Sequence, residues 1–143
     1  MLHHQEPINF KPKFAVVGNF VQYQDEIILL HRQSHKPQGN TWGIPSGKVD
    51  EGEDLITAAG RETFEETGLA IPAEELKFFK TVYVRYNDYD FIYHMFSAKL
   101  NNKEEITLSA SEHKEMRWVK VQDAFSLPLI EDLDECLKLF FNM

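Results

Sequence analysis

Three glutamates, Glu62, Glu65 and Glu66, lie three and four residues apart near the end of GKVDEGEDLITAAGRETFEETGL, the stretch from Gly47 to Leu69. On a helix, residues at those separations share a face. Carboxylates gathered there repel by roughly 0.2–0.5 kcal/mol per exposed pair, and by more where water is excluded. A divalent cation turns that repulsion into binding. Hard oxygen ligands with no His or Cys beside them in sequence favour Mg²⁺, with Mn²⁺ as a substitute, over zinc or copper. Mg²⁺ commonly completes its coordination with substrate phosphates, so the pattern predicts metal-assisted chemistry on a phosphate.

The element that must position these groups is a helix over Leu55–Thr67. Asp54 stands at its N-cap and Gly68 at the left-handed position that closes it. Gly43, Pro45, Gly47 and Gly52 mark the loop before it. Ala58, Ala59 and Gly60 form a small-residue patch that lets the helix approach a sheet closely, at a cost of roughly 1 kcal/mol of propensity for the glycine.

Gly47, Glu53, Arg61, Glu62, Thr63, Phe64, Glu65, Glu66, Thr67, Gly68 and Leu69 together resemble the signature of the Nudix hydrolase superfamily. That signature is Gly, five residues, Glu, seven residues, then Arg-Glu-apolar-any-Glu-Glu-any-Gly-apolar. Thr63 departs from it, standing where an aliphatic residue is expected. The resemblance implies a Nudix-type α/β/α sandwich with a mixed sheet and hydrolysis of a phosphoanhydride in a nucleoside diphosphate linked to another moiety. It also implies roles: Glu62 as metal ligand or catalytic base, Glu65 and Glu66 as metal ligands, and Glu53 with Arg61 as an architectural pair. Gly47 and Gly68 are structural. The backbone carbonyl of Ser46 is a further ligand candidate, because the loop must bend toward the helix there. Many members bring another glutamate from a loop ahead of a strand. Glu112, before Trp118, is the candidate for it, a catalytic one, with Glu115 in reserve. His113 between them is a second candidate base, since its ordinary pKa is about 6.5.

Arg32 and Lys48 flank the metal loop and are candidates for substrate phosphates. Trp42, Tyr83, Tyr86 and Tyr89 are candidates for stacking a base, Tyr83 and Tyr86 foremost. Outside the signature, Val84 stands where ADP-ribose hydrolases often carry Pro, and Tyr86 falls near a Tyr of dinucleoside-polyphosphate hydrolases. Trp42–Lys48 is most similar to the MutT-type branch. A (deoxy)nucleoside triphosphate is therefore the first substrate class, with a dinucleoside polyphosphate or nucleotide sugar as alternative. A non-catalytic nucleotide sensor is the reading from a different class.

A length of 143 residues with 43% hydrophobic content suits one core, hence a single domain over 1–143 with residues 1–12 open to disorder. The net charge of −8 disfavours a nucleic-acid polymer as partner, leaving a small nucleotide. A lone Cys136, no long apolar run and a polar, Pro-containing start point to a cytoplasmic protein without a membrane partner. Oligomeric state stays open, a homodimer included.

Strands are expected at Phe14–Val21, Ile27–Arg32, Phe78–Tyr86, Phe91–Leu100 and Met116–Val121, from β-branched and aromatic runs bounded by turn residues. Ile130, Leu133, Leu137, Phe140 and Phe141 recur at helical spacing after Pro128 and predict a final helix of about twelve residues.

Overall fold

The computed structural model describes all residues, 1–143. Its centre is β2, Pro12–Tyr23, a twelve-residue strand whose even-numbered residues face one side and odd-numbered residues the other. Phe14, Val16 and Phe20 enter the larger core; Val17 and Val21 enter two smaller clusters on the opposite face.

One edge of β2 pairs in parallel with β7, Asp90–Lys99, along nearly its whole length. The other edge forks. Gln22 and Tyr23 pair with β3, Glu26–Arg32, whereas Val16–Gly18 pair with β5, Ser46–Lys48. β6, Lys77–Arg85, lies outside β7, and β8, His113–Lys120, runs antiparallel to β3, as does the short β4, Trp42–Gly43. A two-residue β1, Leu2–His3, completes the eight-stranded mixed sheet at β6.

Helix α1, Leu55–Thr67, covers one face. Ala58 and Ala59 are fully buried against Val17, Phe96 and Ala98, a contact that larger side chains would hold apart. Helix α3, Leu133–Phe141, covers the other face through Leu133, Cys136 and Leu137, with Phe140 stacked on Phe20 at 4.4 Å. The layers are those of an α/β/α sandwich.

The expected elements are present with two differences of substance. Residues 1–12 are not free of order, because Leu2 is buried and pairs opposite Val84. The last helix starts later than Pro128, since Trp42 donates to the Pro128 carbonyl at 2.8 Å and its own carbonyl accepts from Ile130 at 2.9 Å. Those bonds keep 128–130 extended. A four-residue α2, Val121–Ala124, carries too little periodicity to be read from sequence.

Candidate metal and phosphate site

Two caps set the rotational phase of α1, and with it the direction of each glutamate. Asp54 accepts from the Thr57 N–H at 2.8 Å, and Gly68, at φ +78°, donates to the Phe64 carbonyl. Glu66 then points inward. It is 5% exposed, and its carboxylate accepts the Ser46 N–H at 2.9 Å. Glu62, one turn earlier, lies against Gly47 so closely that a Cβ there would sit 2.0 Å from its carboxylate carbon. Close approach, rather than a left-handed backbone, is therefore what position 47 demands.

Arg61 ties loop to helix. It is bidentate to Glu53 at 2.8 and 2.9 Å, donates to the Lys48 carbonyl at 3.0 Å, and reaches Glu62 at 2.8 Å and Glu65 at 3.2 Å. The Arg61 hydrogen bonds, helped by the Asp50 N–H, hold Glu53 down at about 2. Glu65 stays beside Glu62, since both carboxylates accept from the same Arg61 nitrogen, but it is half-exposed and does not line the cleft, which takes Glu62 and Glu66 from α1.

The cleft has a volume of about 660 Å³ and opens on the α3 face of the sheet at the fork between β3 and β5. Glu62, Glu66, Glu112 and His113 line it together, Phe14, Tyr86, Tyr89 and Phe91 form an aromatic cluster on the same lining with Glu131 and Asp132 beside Tyr86, and the Tyr93 hydroxyl lies 3.4 Å from that of Ser46. Burial pushes Glu66 well above the ordinary carboxylate range despite the Ser46 N–H, with Glu112 and Glu62 adding repulsion. Glu62 is raised for the same first reason, against the opposing pull of Arg61. The protein thus gathers desolvated carboxylates whose charge it only partly offsets, and that donor chemistry suits a hard divalent cation.

The other candidates divide. Ser46 lines the cleft, with its N–H committed to Glu66 and its hydroxyl donating to the Ile44 carbonyl at 3.0 Å. Arg32 lines it too, steadied by the Pro37 carbonyl at 2.9 Å; Lys48 stands 4.4 Å over the Phe14 ring. Tyr86 lines the cleft within the aromatic cluster and donates to the Glu131 carbonyl at 3.2 Å. Tyr83 does not belong there. Strand alternation turns it away from Val84, which lines the cleft, and packs it edge-on against Phe10 at 5.5 Å. Trp42 is 2% exposed and stacked on His31, so it is core. Glu115 is held by His31 at 3.0 Å, which leaves Glu112 as the glutamate of this loop that reaches the cleft. Burial, with Arg32 and Lys36 nearby, brings His113 down to about 4, so its imidazole is neutral.

Sequence reasoning passed over Phe14 and Tyr93, whose only signal was their place in strand alternation. It also passed over the partner of Thr63. That side chain is 1% exposed, donates to the Ala59 carbonyl at 2.8 Å and accepts from the Asn19 amide at 3.0 Å. A polar pair across the helix–sheet contact thus accounts for the departure from the aliphatic pattern. Cys136 lines the cleft from α3, but burial pushes its thiol up to about 12, which leaves it unreactive.

The family model of the NUDIX domain matches residues 12–140. The Nudix hydrolase YvcI of Bacillus subtilis is 30% identical over 115 residues, spanning 80% of this chain and 70% of that protein. The asymmetrical bis(5'-nucleosyl)-tetraphosphatase of Caenorhabditis elegans is 32% identical over 116 residues, spanning 78% and 80% respectively. Among solved structures, a MutT protein from Methanosarcina mazei Go1 has a TM-score of 0.79 at 23% identity, over 92% of this chain and 95% of that one, a likeness of fold.

Proposed function

This chain belongs to the NUDIX family and is a Nudix hydrolase, and from that premise we propose that it cleaves a phosphoanhydride in a nucleoside diphosphate linked to another moiety, a (deoxy)nucleoside triphosphate first. The observation that carries the reading is one cleft lined by both a carboxylate cluster and an aromatic cluster, with Arg32 and Lys48 also on its lining. A polyphosphate chain needs the first, a planar base the second.

Glu62, Glu66 and the Ser46 carbonyl, with Glu65 beside Glu62, would hold Mg²⁺ or Mn²⁺. When bound, such an ion neutralises phosphoryl oxygens and acidifies water. The chain's own residues do the rest. Arg32 and Lys48 orient the phosphates, and Phe14, Tyr86 and Tyr89 exclude water around the base. Glu62 or Glu112 accepts the proton of the attacking water, whose oxygen forms the new P–O bond as the bridging oxygen leaves with the other phosphate. Arg61 fixes Glu62 without touching substrate.

A dinucleoside polyphosphate is the second reading. It is favoured by the C. elegans relative and by an aromatic wall that continues from Phe14 through Tyr89 to Tyr86, with ring centroids 5.4 and 5.6 Å apart. The test is phosphate release across a nucleotide panel, with and without Mg²⁺. Glu62→Gln should keep nucleotide binding while turnover falls about 10²–10⁴-fold, the scale of a positioned acid–base group. Tight Mg²⁺-dependent binding of nucleotides with hydrolysis of none would replace the enzyme with a sensor.

A further inference from the structure

The carboxylate cluster of the cleft includes a side chain that an all-oxygen site does not require. His113 opens β8 opposite Arg32, and this pairing brings Glu112 and His113 beside α1 from a distant part of the chain. A ring nitrogen of His113 and one carboxylate oxygen each of Glu66 and Glu112 lie within 4.8 Å of one another. His113 is 5% exposed, and its Nδ1 is buried without a hydrogen-bond partner. The other sheltered histidines are engaged: His31 bonds to Glu115 and to the Asn40 carbonyl, and His94 to the Thr81 hydroxyl.

A buried polar atom left unpaired costs about 1–3 kcal/mol. Two repelling carboxylates beside it share the same remedy. Three ligand atoms bound about 2.1 Å from one ion lie roughly 3.0–3.6 Å from one another, so side-chain rotations that contract the triad by up to roughly 1.2–1.8 Å would bring it to coordination distance.

We propose that His113, with Glu66 and Glu112, supplies a nitrogen ligand that turns the expected oxygen-only magnesium site into a mixed site selecting Mn²⁺ and Co²⁺ over Mg²⁺. The selectivity rests on the metal reading above and on imidazole, which raises affinity for transition ions much more than for Mg²⁺.

The test is pulsed electron paramagnetic resonance of the full chain loaded with Mn²⁺, without nucleotide. Directly bound imidazole should give a nitrogen coupling that changes on ¹⁵N-histidine labelling, a readout that needs no substitution. His113→Gln should abolish the coupling and weaken Mn²⁺ and Co²⁺ at least about tenfold in calorimetry, a scale reached even by partners of ligands. Mg²⁺ affinity should move by less than about threefold, since this ion gains least from imidazole. If Mn²⁺ binds, is lost in Glu66→Gln and shows no nitrogen coupling, the carboxylate site stands and His113 is excluded from it. Equal weakening of all three ions in His113→Gln also overturns the proposal, as a structural effect. If no Mn²⁺ binds, both readings fail.

Discussion

Replacing Gly47 with Ala would place a methyl group where the Glu62 carboxylate now lies. The added Cβ would stand 2.0 Å from Glu62 Cδ and 2.1 and 2.4 Å from its oxygens. Non-bonded carbons settle at about 3.5 Å or more, so the carboxylate must retreat by about 1.5 Å. Its 2.8 Å bond to Arg61 cannot survive that shift intact. A misplacement of about 1 Å can cost 10²-fold in rate, or about 2.7 kcal/mol of barrier. The fold should tolerate the change. Gly47 has no positive φ, and the clash is with the end of a flexible side chain, whose off-rotamer cost is about 0.5–1.5 kcal/mol. Initial rates of phosphate release at saturating Mg²⁺, beside thermal melts, should therefore show a loss of about 10²-fold in turnover with a small change in Tm. In a Glu62→Gln background the same change should cost little more, since both act through one carboxylate. Turnover of Gly47→Ala within about threefold of wild type would show the displacement to be absent or immaterial.

Three further outcomes follow from particular contacts. Thr63→Val should lower stability by about 1–3 kcal/mol in urea melts by stranding the Asn19 amide, and Asn19→Leu with Thr63→Val should recover most of it; additive losses would dissolve the pair. Glu53→Gln should destabilise at neutral pH through lost pairing with Arg61. Glu53 is depressed from an ordinary 4.5 to about 2, so its contribution is present above 4.5 and lost as pH falls toward 2. The Tm gap to wild type should close across that window, and a gap constant with pH would deny the pairing. Glu66→Gln, which keeps an acceptor for the Ser46 N–H but removes a buried charge, should match or exceed wild-type Tm in a chelator. Added Mg²⁺ should raise the wild-type Tm by mass action and the variant's much less; equal shifts would remove Glu66 from the metal.

Much of the machinery was legible because it is local. Caps, the helix between them and the glutamate spacing act within a few residues, so Asp54, Leu55–Thr67 and Gly68 could be placed from side-chain chemistry alone. The strands of the central sheet were legible from alternation, and their ends shift by only a few residues. Pairing partners were not, because register between distant strands is set by packing that no single segment encodes. Residues 128–130 illustrate this, since hydrogen bonds with Trp42 overrule their helical periodicity.

The family, the acidic helix and the class of chemistry depend on residue types at fixed local separations, and so could be read along the chain. Which groups share the cleft is set by the folded chain. Packing of Phe10 against Tyr83 holds that ring off the cleft, and pairing of β8 with β3 carries Glu112 and His113 to Glu66. Each is settled by packing or pairing between segments far apart in the chain, where sequence spacing carries no distance.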